Sequence, residues 1–174
     1  MGKPLINVDE ATTHRGASGD LFCYSMTELA GALGAKAIGA NLTRVPPGKA
    51  AFPFHHHHGN EEHFFVLSGS GVLRHGAETH AVRKNDYVVH LAGGPENAHQ
   101  LINTGAEDLV YLAISTNAIP DVVGYPDSSK TGVRTNAYGE ADSRFLLSDG
   151  NKNTVTYWER EDGKRVAQIL EKHK

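Results

Sequence analysis

Phe54-His55-His56-His57-His58-Gly59-Asn60-Glu61-Glu62-His63-Phe64-Phe65-Val66-Leu67 carries the most information per residue in this chain. It follows Pro46-Pro47-Gly48 and runs on to Gly69-Ser70-Gly71, so the four histidines lie between a turn and a strand, not at a terminus where a purification tag would sit. In an extended chain alternate side chains share a face; His55 and His57 therefore point one way, and His56 and His58 the other. Two histidines so placed can grip one metal. Glu62 opens the next strand, and a tight turn would return it to the same site with Phe64 and Val66 on its face.

Short apolar runs broken by turn residues continue on both sides. The expected strands are Ile38-Val45, Glu62-Ser68, Val72-His75, Thr79-Val82, Tyr87-Leu91, Ala98-Asn103 and Leu109-Ser115, with turn chemistry between them. Short strands at this spacing, with no competing helical period, predict an antiparallel sandwich or barrel. The core of the barrel is expected at about residues 36–116, with an N-terminal arm over 1–35 and a C-terminal arm over 117–174 packed on it as one domain, a length typical of single domains. In the arms, Pro4-Val8 and Leu21-Met26 predict edge strands, Thr27-Leu33 a weak helix and Val155-Trp158 a strand. Val166, Ile169 and Leu170, at helical spacing, predict a closing helix over Arg165-Lys172.

His99 follows the Gly93-Gly94-Pro95 loop and shares a strand face with Leu101 and Asn103, so it can supply a further ligand. Three imidazoles and a carboxylate suit one divalent transition metal: Mn, Fe, Co, Ni or Zn. Strand parity fits a second set equally well, His56 and His58 with Glu61 or Glu62. The spacing Pro53-x-His55-x-His57 and the six residues between Glu62 and Gly69 favour His55, His57, Glu62 and His99.

The run Gly48-x6-His55-x-His57-x4-Glu62-x6-Gly69 resembles the first motif of the cupin superfamily, and Asn85-Asp86-x4-Leu91-x-Gly93-x5-His99-x3-Asn103 resembles the second. The chain departs from the pattern with Asn85 for a glycine, Leu91 for a proline and three extra residues before His99. The resemblance implies an all-β, double-stranded β-helix (jelly-roll) barrel with short peripheral helices and the metal inside. The segments Gly39-x-Asn41-Leu42-x-Arg44-x-Pro46-Pro47-Gly48, Val122 to Lys130 and Thr156-Tyr157-Trp158 also resemble a bacterial cupin subgroup described as sugar-phosphate-isomerase-like. Lys130 and Arg44 are the cations they would offer a phosphate.

The other histidines have plainer readings. His63 should turn away from Glu62 and pack between sheets; His75 and His80 flank a hairpin turn; His14 and His173 lie in the tails. His90, on the strand before the Gly-Gly-Pro loop, is the candidate catalytic residue in contact with substrate. Composition narrows the function classes. With 17 Lys+Arg against 20 Asp+Glu and no basic stripe, nucleic acid is not an expected partner. No run of apolar residues is long enough to span a membrane. The N-terminus lacks the apolar core of a signal peptide, and a lone Cys23 forms no internal disulfide, so a cytoplasmic chain is expected.

The expected activity is that of a metalloenzyme using the ion as a Lewis acid on a small oxygen-rich anionic substrate, with sugar-phosphate-type isomerisation as its form. The alternatives are a non-catalytic small-molecule-binding cupin and an Fe-dependent dioxygenase. Apolar edge segments and family habit lead us to expect a homodimer.

Overall fold

The computed structural model describes residues 3–136, 145–148 and 156–173. Among them, β1 (Thr13–Ser18), β2 (Phe22–Glu28), β3 (Ile38–Val45), β5 (Glu62–Ser68), β8 (Tyr87–His90) and β10 (Leu109–Thr116) form a six-stranded antiparallel sheet in the order β1-β2-β3-β10-β5-β8. A second group joins β7 (Glu78–Arg83), β6 (Ser70–His75) and β9 (His99–Ile102); a third joins β13 (Phe145–Ser148), β12 (Lys130–Arg134), β11 (Asp121–Tyr125) and β4 (His56–His57). Antiparallel bridges His55↔His99 and Ala50↔Ile102 link β9 to the segment that runs into β4, which makes these two groups one layer. The result is an all-β jelly roll of two facing layers.

Alternation along the strands fills the space between the layers. Val45, Phe64, Val66, Leu109 and Tyr111 from the six-stranded sheet meet Leu73, Val82 and Leu101 from the opposite layer in one buried cluster. The next residue along β6 and β9, Val72 and Ile102, faces outward onto the helix α1 (Lys164–Lys172). Val166 and Ile169 of that helix are buried there with Phe22 and Ala50. A period of 3.6 thus meets a period of 2 across one interface.

The core strands fall where the turn pattern predicts, and the arms differ. Pro4-Val8 forms no strand: a 3-10 turn occupies Val8–Glu10, and β1 follows it. Thr27 and Glu28 extend β2 through register with Leu42 and Asn41, which leaves only a 3-10 turn at Gly31–Leu33 in place of the expected helix. At the expected Val155-Trp158 strand, Val155 lies outside the described residues, Thr156 has no regular structure and residues 157–160 make a turn. His63 does not pack between sheets; it sits on the outer face with its Nδ1 2.8 Å from the Tyr87 hydroxyl.

Two motif positions owe their residue type to the backbone. Asn85 has φ 75°, a left-handed conformation that asparagine tolerates better than most residues, which explains how it replaces the motif glycine. Gly69 has φ 78°, and a Cβ there would press on the Asp108 carbonyl and lie 2.8 Å from Leu109 Cα. Gly69→Ala is expected to lower stability by about 2–4 kcal/mol, read as a lower urea midpoint with an unchanged slope. A change under about 0.5 kcal/mol would refute that account.

Candidate metal centre

His55, His57, Glu62 and His99 come together at one end of the space between the layers. β4 carries His57, its bridged neighbour His55 is held against His99 at the start of β9, and Glu62 opens β5. Glu62 Oε2 lies 2.8 Å from His99 Nε2, 3.7 Å from His55 Nε2 and 3.8 Å from His57 Nε2. One ligand atom from each of His55, Glu62 and His99 lies within 4.8 Å of the others; His57 shares the contact with Glu62 but stands outside that trio.

Each imidazole is fixed from behind. Nδ1 of His55 lies 2.8 Å from the Pro53 carbonyl, Nδ1 of His99 3.2 Å from the Asn97 carbonyl, and Nδ1 of His57 2.6 Å from Asp121 Oδ2. Since those partners are acceptors, Nδ1–H donates in every case and the Nε2 lone pair is left facing Glu62. Three lone pairs and a carboxylate oxygen at these separations repel one another unless a cation, proton or metal, lies among them. The donor set and its orientation therefore fit a divalent transition metal.

The protonation states follow from the same crowding. Burial, helped by His99 and His57, pushes His55 down to about 3. Burial also pulls His57 down, but the carboxylates of Glu62 and Asp121 together outweigh it and raise this imidazole above its ordinary value. Burial would raise Glu62; the surrounding His57, His99 and His55 overcome that and hold its carboxyl well below the usual carboxylate range.

The turn between His57 and Glu62 is pinned by groups that the motif does not contain. Buried Asn60 accepts from Ala118 N (2.7 Å) and Thr116 Oγ1 (3.0 Å) and donates to Ala118 O (3.1 Å). Asp121, fully buried on β11, accepts from Gly59 N (3.0 Å) through the oxygen that does not hold His57. Asp121 is the residue sequence reading missed. Its only sequence signal is an acidic residue in an apolar run, Ile119-Pro120-Asp121-Val122-Val123.

The second set permitted by strand parity is not assembled. His56 turns outward, with Nδ1 2.9 Å from the Gly93 carbonyl and its ring against Gly124, where any Cβ would collide with it; His58 is exposed. The three extra residues before His99 have a use, since the lengthened loop supplies the carbonyls of both Gly93 and Asn97.

His90 faces inward, paired across the strands with Glu62, but it lies behind the cluster. Its ring stacks on that of His99 at 3.7 Å and 12°, its Nδ1 is 3.4 Å from His75 Nδ1, and burial pushes it down to about 2. It is not among the residues that line the cavity, so the expected contact with substrate has no geometric support.

A cavity of about 560 Å³ opens onto the cluster from the side of His55, His57 and Glu62. Neither cation expected to hold a phosphate lines it. Arg44 is exposed on the outer face of β3, and Lys130 is buried with Nζ 2.9 Å from Glu161 and 2.6 Å from the Tyr157 carbonyl.

Comparison with known proteins agrees with this architecture. The cupin domain family matches residues 41–115. A sugar phosphate isomerase of the cupin superfamily from Silicibacter pomeroyi superposes with a TM-score of 0.75 at 23% identity, over 88% of this chain and 97% of that one. A candidate sugar phosphate isomerase from Acidithiobacillus ferrooxidans gives 0.70 at 28% identity, over 88% and 97%. The polyketide cyclase RemF from Streptomyces resistomycificus gives 0.56 at 17% identity, over 70% and 84%, a likeness of fold alone. No curated protein matches the chain. No helix among the described residues is long and apolar enough to cross a membrane.

Proposed function

We propose that this chain, whose residues 41–115 match the cupin domain family, is a metalloenzyme in which His55, His57, Glu62 and His99 hold one divalent transition metal beside the cavity. The observation that carries the reading is the convergence of three Nε2 lone pairs on a carboxylate, each imidazole fixed by an acceptor at Nδ1. Bound there, the ion would supply a Lewis acid that polarises a carbonyl and stabilises developing enolate charge. Three neutral imidazoles and one carboxylate leave it one net positive charge, which favours an oxygen-rich anionic head group. Opening onto a cavity distinguishes this arrangement from a closed structural site.

The reaction we assign is isomerisation of a hydroxy-carbonyl or keto-acid substrate by a proton shift. The candidate sugar phosphate isomerase from Acidithiobacillus ferrooxidans supports that class. His90 acts in this reading as a positioning residue, its ring backing that of His99. The protein works as a homodimer, with Leu67, Tyr87 and Val89 exposed on the outer face of the six-stranded sheet to meet a second copy; a monomeric mass in sedimentation would refute that.

Elemental analysis of the purified protein tests the core of the reading, with about one equivalent of metal expected per chain. Less than about half an equivalent, unchanged on incubation with Mn, Fe, Co, Ni or Zn salts, would sink it. Mn, Co, Ni or Zn supports Lewis-acid chemistry, and Fe would direct the search to dioxygenase activity.

The raised His57 adds a pH signature. Its proton stabilises the metal-free fold fully below about 6.5, its ordinary value, and that contribution is lost as pH rises through its higher folded value. The metal needs the same nitrogen free of its proton. The difference in melting temperature between metal-loaded and chelator-treated protein should therefore widen from about pH 6 to about pH 8. A gap that is constant or narrows would count against His57 as a ligand.

A further inference from the structure

The walls of the cavity are more selective than its metal end. Tyr24, Met26, Phe52, Tyr111, Tyr125 and Tyr157 line it, several in close pairs: Tyr24 with Phe52 at 4.6 Å between ring centroids and Tyr125 with Tyr157 at 5.8 Å. Among the described residues no lysine or arginine lines it, whereas two carboxylates do, Glu62 at the cluster and Glu28 on β2.

Each nearby cation is engaged elsewhere. Lys130 is held by Glu161 and the Tyr157 carbonyl, and Arg74 forms a bidentate pair with Asp127 at 2.6 and 2.9 Å. Arg134 stands behind Asn117, donating to its Oδ1 at 2.9 Å, and does not line the space. Beyond the metal end the polar lining is His14, Glu28, Asn41, Ser115 and Asn117 among the aromatic rings, and a phosphate reaching there would lose hydration without a lysine or arginine to replace it. An uncharged ring there would bury apolar area against the aromatic side chains that line the space.

We infer that the substrate of this site carries an apolar, preferably aromatic, body behind its oxygen-bearing head, and not a phosphate. The inference rests on the assignment of the cluster as the reaction centre and narrows the substrate class to aryl-substituted keto or hydroxy-carbonyl compounds. At about 560 Å³ the cavity has the size of sites that enclose ring-bearing small molecules.

Calorimetric titration of metal-loaded protein with phenylpyruvate, pyruvate and fructose 6-phosphate tests it. Phenylpyruvate should bind at least about tenfold more tightly than pyruvate, which shares its head, and fructose 6-phosphate no more tightly than pyruvate. Met26→Lys, a cation placed in the partly exposed part of the wall, should weaken phenylpyruvate and strengthen fructose 6-phosphate; a reversal of either change overturns the inference.

Repeating the titrations after chelation separates the two claims. Metal-dependent binding of all three compounds without a preference for the aryl tail removes the inference and leaves the metalloenzyme standing. A tail preference that persists in protein unable to hold metal supports the cavity's selectivity and removes the metal centre.

Discussion

Replacing Glu62 by glutamine is expected to lower the affinity for a divalent transition metal by on the order of a hundredfold or more, because it removes the single negative charge of the set and the oxygen that all three Nε2 atoms face. The amide keeps the shape of the side chain, so loss of metal without loss of fold is the expected outcome. A graded series sharpens the test. Asp121→Asn keeps volume but weakens the acceptor that fixes the Nδ1–H form of His57, and should cost about 10–100-fold. His58→Ala, at an exposed ring that points away from the cluster, should cost nothing measurable. Competition against a coloured chelator reads all three. Equal affinities for wild type and Glu62→Gln would mean that the cluster is a network of protonated histidines and a carboxylate, not a metal centre.

Lys130→Met should be among the most destabilising single changes available to this chain, at about 3–5 kcal/mol against a typical domain stability of about 5–15 kcal/mol. The side chains of Lys130 and Glu161 are 0% and 4% exposed, and their 2.9 Å pair ties the segment before α1 to the β11–β12 hairpin. Without Lys130, Glu161 keeps Ser128 as a partner, and the hydrogen bond from Lys130 to the Tyr157 carbonyl is lost. The double variant Lys130→Met/Glu161→Met removes both charges together and should recover much of the loss. Chemical denaturation of the four proteins of the cycle measures the coupling. If Lys130→Met costs under about 1 kcal/mol, the pair contributes little to holding the C-terminal segment.

The two predictions concern regions of unequal legibility. Around the cluster the sequence is explicit: β3 and β5 fall at the expected bounds because Ile38–Val45 and Glu62–Ser68 are short apolar runs that end at turn residues. Parity along a strand sorted the histidines into two alternating sets, and the spacing from Pro53 to His57 and from Glu62 to Gly69 favoured His55, His57, Glu62 and His99. The arms are less explicit. β11 and β12 were not foreseen: Tyr125-Pro126-Asp127-Ser128 reads as a turn, and a 3-10 turn occupies Pro126–Ser128, but the strands on either side of it form only by pairing with each other and with β4. Thr27-Leu33 reads as a weak helix, and pairing with β3 overrode that preference.

By itself the sequence determined where the core strands lie and the chemistry of the candidate donors, because turn residues bound each apolar run and side-chain identity fixes what each group can offer. Only the tertiary structure decided which groups stand behind those donors. Asp121 reaches His57 across 64 residues of chain, and the carbonyls of Gly93 and Asn97 reach His56 and His99 from one lengthened loop. It alone moved His90 from candidate catalyst to the back of His99, and drew Lys130 and Arg44 away from the cavity. Those outcomes depend on distances between segments far apart in the chain, which no local pattern of residues encodes.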